Sequence, residues 1–136
     1  MTEELVTLET AKLLKAAGFK EDVNSFYELV YKGGSGPEYE IDESYDAQNY
    51  NTDVYSISAP TQSIAQKWLR EIRGVYVYVE PVIGKRWTLS FCDFNVPTEE
   101  SDWMENEINK GNGYKVYVTY EEALEAGIQE ALKLII

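Results

Sequence analysis

The sequence predicts an α+β fold, with a mainly antiparallel sheet of about five to six strands and helices packed on it. Three features carry that expectation. Apolar residues recur at three-and-four spacing in segments near positions 8–17, 60–73 and 120–135, whereas runs such as Val75 to Val79 and Trp87 to Phe91 alternate with a period of two. The strand-like runs are joined by short or turn-rich connections, which suit antiparallel neighbours. At 136 residues, with 44% hydrophobic and 26% charged residues, the chain is expected to form one domain over 1–136.

Thr7 can cap a first helix over Leu8 to Ala17, with Leu8, Ala11 and Leu14 on its apolar stripe and Gly18 as its stop. Phe19 then stands where it can touch Leu14. Residues Ser25 to Tyr31 read as a strand, Gly33 to Pro37 as a turn, and Glu38 to Asp42 as the return strand, in which Tyr39 and Ile41 alternate with acids. The Asp-, Asn- and Tyr-rich stretch from Asp42 to Asp53 reads as a solvated loop before a short strand at Val54 to Ser58.

A second helix is expected from Pro60 to Gly74, its stripe made by Ile64, Ala65, Trp68, Leu69 and Ile72. The Val75 and Trp87 runs then pair as a hairpin, and because both faces of the first run are apolar or aromatic it is expected to be a central strand. A short acidic helix begins at Thr98, a Gly111-Asn112-Gly113 turn ends it, and a last strand covers Tyr114 to Val118. Thr119 and Glu122 have capping-box spacing ahead of the final helix, with Val118 and Ala123 placed for a hydrophobic staple. The succession of elements suggests a duplicated helix-strand-strand unit, although no residue-level repeat accompanies it.

Charge and residue absences narrow the chemistry. There is no histidine and one cysteine, Cys92, which removes imidazole catalysis, Ser-His and Cys-His pairs, and thiolate or imidazole metal clusters. No cofactor is expected. The acidic Met-Thr-Glu-Glu start is unlike a basic secretory signal and no apolar run has the ~20 residues needed to span a bilayer, so a cytoplasmic protein without membrane partners is expected. A formal charge of −12 repels nucleic acid and anionic lipid at long range and attracts basic partners.

Three constellations could carry function. Asp42, Ser44, Asp46 and Asp53 follow a calcium-loop spacing, but Ala47 stands where that loop needs glycine, so a solvated loop is the preferred reading. Lys67, Arg70 and Arg73 on the second helix, with Lys85 and Arg86 in the hairpin, form a basic band that could neutralise phosphates, although Glu71 and Glu80 dilute it. Among the eleven tyrosines, Tyr76, Tyr78, Tyr114 and Tyr117 are expected to cover sheet faces in preference to stacking bases or sugars. Carboxylates are plentiful, but none lies in an apolar run of the kind that tunes a catalytic acid.

Three segments, Glu4 to Lys15 with Gly18-Phe19, Ser58 to Glu71, and Thr119 to Leu134, resemble a family of small uncharacterised proteins of phages, prophages and mobile elements of gut bacteria. The resemblance implies a bacterial cytoplasm and a mobile genome as the setting, and assigns no activity or site residue. The leading functional expectation is a noncatalytic protein-interaction module whose partner is a protein, a basic one where the acidic face makes the contact, with mimicry of nucleic-acid charge as one variant. Nucleic-acid binding through Lys67, Arg70, Arg73, Lys85 and Arg86, and a carboxylate-dependent enzyme, are the alternatives. Oligomeric state is open.

Overall fold

A computed structural model describes residues 3–110 and 115–136. In chain order the elements are helix α1 (Leu8–Ala16), strands β1 (Val23–Tyr31), β2 (Pro37–Gln48) and β3 (Ser56–Ser58), helix α2 (Gln62–Ile72), strands β4 (Val75–Val82) and β5 (Arg86–Asp93), and helices α3 (Trp103–Ile108) and α4 (Tyr120–Ile135). The α+β class is as expected. The strands form two antiparallel sheets instead of one, a three-stranded sheet ordered β2-β1-β3 and the β4-β5 hairpin.

Helix ends follow local chemistry. Thr7, Thr61 and Thr119 each accept from the N–H three residues on, which satisfies a donor that the first turn leaves free. Helix α1 closes with Gly18 at φ +94, a Gly18 N–H to Lys15 carbonyl bond of 3.1 Å and a Phe19 N–H to Leu14 carbonyl bond of 2.9 Å. That ending drops Phe19 into the core, edge-on to Trp68 at 5.5 Å between ring centres.

The core is one cluster that takes in residues of both sheets and is built largely from helix side chains. Helix α1 packs on α4 and on β3, while α2 and α4 both pack on β4. Leu14, Leu69, Val75, Val77, Ile128 and Leu132 are all essentially inaccessible. Val118, by contrast, is 61% exposed, so the staple expected with Ala123 does not close.

The hairpin's outer groups are taken along β5 and in part along β4. On the outer side of β5, Trp87 exchanges hydrogen bonds with Tyr117, the Phe91 N–H donates to the Glu105 carboxylate at 2.7 Å, and the Asp93 N–H donates to the Ser101 carbonyl at 3.1 Å. On the outer side of β4, the Gln66 side-chain amide donates to the Val77 carbonyl at 2.7 Å. A strand whose outward groups are taken as those of β5 are cannot extend a ladder there. β4 pairs with β5 alone and so is not the central strand that its two apolar or aromatic faces had suggested. One face meets α4, and on the other Tyr76 and Tyr78 stack on each other at 4.9 Å, half-buried.

Other expectations change in detail. The stretch from Asp42 to Gln48 continues β2 and is not a loop, with a register shift against Val23 and Ser25. The expected last strand reduces to the Trp87–Tyr117 bridge, and Tyr114 and the Gly111-Asn112-Gly113 turn lie outside the described residues. The duplicated unit does not appear, since one half pairs three strands and the other two.

Candidate acidic groove

The polar centre of the molecule is the Glu125 carboxylate on α4. One of its oxygens accepts from the Thr7 N–H at 3.0 Å, from the Thr7 hydroxyl at 3.0 Å and from the Thr10 hydroxyl. The other accepts from the Gln62 amide at 2.9 Å, and the same amide nitrogen donates to the Glu121 carbonyl at 3.0 Å. Glu125 thus ties together the starts of α1 and α2 and the first half of α4. Nearby, the Tyr27 hydroxyl on β1 donates to the Val6 carbonyl at 2.9 Å. Burial raises the Tyr27 pKa above 10.0, and the Glu125 charge raises it further.

Above this knot runs a groove. A hollow of about 640 Å³ beside Thr7, Gln62 and Glu125 also takes in Glu4, Glu121 and Glu122. It shares Glu4, Gln62 and Glu121 with a hollow of about 360 Å³ that adds Glu3 and Tyr120. Through Leu5 it adjoins a third, of about 300 Å³, which reaches Ile41, Asp42 and Glu43 on β2. Every charged side chain along this track is a carboxylate; among the described residues no lysine or arginine lines it.

The acids of the track differ in what they do. Glu125 is saturated by donors and acts as a floor. Glu121 and Glu122 lie in the first turn of α4, where the helix dipole favours negative charge, and both are exposed. Glu3 accepts from the Ser63 hydroxyl at 2.9 Å. The groove therefore offers exposed negative charge over a hydrogen-bonded base.

The basic band looks different once folded. Arg73 uses both guanidinium nitrogens on the backbone, donating to the Ala17 carbonyl at 2.8 Å and the Ile135 carbonyl at 3.1 Å, so it caps the ends of α1 and α4. Arg70 lies 3.7 Å from Glu71 and 5.6 Å from the Tyr76 ring centre. Lys67 borders a hollow of about 320 Å³ formed with Glu21, Trp68, Glu71, Ile64 and Ile72. Lys85, at φ +58, and Arg86 are exposed at the hairpin turn. The five do not make a carboxylate-free face.

The calcium-like set is likewise spread out. Asp42 and Ser44 each accept from a nearby backbone N–H within β2, and Asp53 accepts from Tyr55 and Ser56 N–H groups ahead of β3. Among the described residues no three Asp, Glu, Cys or His side chains gather as metal ligands would.

Sequence reasoning passed over two polar hubs. Thr10 falls beside Ala11 and Leu14 on the buried stripe of α1, and a hydroxyl there implied a polar partner. Asp93, 6% exposed, accepts from the Trp103 indole N–H at 2.6 Å and from the Asn95 N–H and side-chain amide at 2.9 and 3.0 Å. Its period-two position after Phe91 was the available signal.

Compared with models of protein families, with curated proteins and with solved structures, the chain matches none. Among the described residues no helix is long and apolar enough to cross a membrane.

Proposed function

We propose that this chain is a noncatalytic protein-interaction module, acting in the cytoplasm in a phage or prophage setting, which holds a basic stretch of a protein partner along the acidic groove. The observation that carries the reading is the track of adjoining hollows lined by Glu3, Glu4, Glu121, Glu122, Asp42 and Glu43 without a cation. A concave surface of one charge sign concentrates its field, and exposed carboxylates above a hydrogen-bonded floor can pair with lysine and arginine without rebuilding the site. The saturation of Glu125 supports binding over catalysis, because a carboxylate holding four donors is poorly placed to move a proton.

The test uses a fluorescent lysine- and arginine-rich peptide interrupted by prolines, which cannot pair as a strand. Affinity should fall roughly tenfold or more as salt rises from ~0.05 to ~0.5 M, as screening shortens the range of the charges. The double reversal Glu121→Lys with Glu122→Lys should abolish binding while leaving the melting temperature within a few degrees. Binding indifferent to both salt and reversal would rule the groove out.

A further inference from the structure

We propose that the open edge of β2 takes up an extended peptide of alternating basic and apolar residues as an additional strand of the three-stranded sheet. This rests on the reading of the chain as a binder of basic partners, and adds a mode of recognition on the strand that the groove reaches at Ile41, Asp42 and Glu43.

The register shows which groups are free. The Leu29 N–H donates to the Tyr55 carbonyl and the Ala59 N–H to the Ser25 carbonyl, so the odd-numbered residues of β1 face β3 and the even-numbered ones face β2. Phe26 pairs with Asp42, Glu28 with Glu40 and Val30 with Glu38. The even-numbered residues of β2 are therefore spent on β1, and the backbone N–H and C=O groups of Tyr39 and Ile41 point away from the sheet. The open stretch ends at Glu43, whose N–H donates to the Asp42 carboxylate at 2.8 Å. In the other sheet the β5 edge is covered by Glu105, Ser101 and Tyr117 and the Val77 carbonyl of β4 is taken by Gln66, whereas β2 pairs with β1 alone. Exposed backbone groups of this kind are what strand addition uses.

The side chains define the occupant. Glu38, Glu40 and Asp42 share one face, beside Glu28, with Lys32 paired to Glu40 as a partial counter-charge. The opposite face carries Tyr39, half-buried against the core with the Lys12 ammonium 5.3 Å from its ring centre, and Ile41, 52% exposed. An added strand thus places alternate residues beside carboxylates and beside an apolar surface. A second copy of the chain fits poorly, because pairing β2 with itself with faces preserved sets acid against acid at successive positions. A lysine-valine alternation matches both faces.

The experiment titrates a labelled, acetylated and amidated peptide of alternating lysine and valine, with two versions N-methylated on one or the other alternate set of amides. One methylated version should bind at least tenfold more weakly and the other within twofold of the parent, since only one set of amides faces β2. Glu38→Lys, at an exposed position, should weaken the parent peptide about tenfold, and Glu121→Lys with Glu122→Lys should leave it within twofold. Equal binding of the two methylated versions, loss of binding in the groove reversal only, or equal binding of a threonine-valine peptide would each overturn the edge assignment while leaving the groove reading standing. No binding of the parent peptide would overturn the edge assignment as well, and the proline-interrupted peptide then decides the groove separately. A dimer in sedimentation that Ile41→Pro dissolves would assign the edge to a second copy instead.

Discussion

Replacing Gly127 by alanine sets two effects of known size against each other. In an ordinary helix interior the change would stabilise by ~0.5–1 kcal/mol, because glycine loses more backbone freedom on folding. Here α4 presses its backbone onto the hairpin at that position. A methyl group at Gly127 would lie 2.7 Å from Val77 Cγ1 and 2.8 Å from Leu89 Cδ2. Carbon atoms settle at ~3.5–4.0 Å, so α4 and the hairpin would have to part by somewhat under ~1 Å. Val77 is fully buried and cannot swing aside, and such overpacking costs ~1–3 kcal/mol. The clash wins, and Gly127→Ala should lose ~0.5–2 kcal/mol, read as a lower urea midpoint at unchanged m-value. Because Leu89 is one side of the clash, Leu89→Ala should cost less in the Gly127→Ala background than alone, with a coupling of ~0.5 kcal/mol or more. A stabilised Gly127→Ala protein would refute the close approach of α4 to the hairpin.

Further outcomes follow from the polar contacts. Glu125→Ala leaves the buried Thr10 hydroxyl without its carboxylate acceptor and the Gln62 amide with the Glu121 carbonyl alone, and should cost ~1–3 kcal/mol by denaturant titration, with Glu125→Gln losing less because one carbonyl remains. Arg73→Lys should cost ~1–2 kcal/mol in the same assay, since a lysine cannot span the Ala17 and Ile135 carbonyls as the guanidinium fork does, and the loss should persist in high salt. Alkaline pH should also destabilise the fold. Tyr27 and Tyr117 are held above 10.0 first by burial and then by the charges of Glu125 and Glu130 respectively, so the unfolded chain releases these protons before the folded one does. Stability is therefore full below pH ~10 and falls as pH rises through the folded values. The urea midpoint followed upward from pH ~9 checks this, and Tyr27→Phe should flatten the fall.

What was legible in the sequence is what is set within a few residues of chain. The helix caps at Thr7 and Thr119, the Gly18 ending and the alternation of β4 and β5 depend on local geometry and on burial of one face, and each leaves a periodic or positional mark; α2, read as starting at Pro60, instead begins at Gln62 behind a Thr61 cap. The basic band shows the limit of that legibility. Three-residue spacing placed Lys67, Arg70 and Arg73 on one helix, but spacing could not reveal that Arg73 would be consumed by carbonyls of residues 17 and 135.

By itself, then, the sequence determined the α+β class, most helix and strand positions and the negative charge, because these depend on composition and on contacts between near neighbours. Only the tertiary structure decided that the strands split into two sheets, that β2 keeps its outer edge open, and that Glu3, Glu4, Glu121 and Glu122 line one groove. Each of those outcomes turns on which hydrogen-bonding groups meet partners distant in the chain. Side chains such as Glu105 and Gln66 close an edge, or leave it free, through where the fold carries them and not through any pattern along the chain.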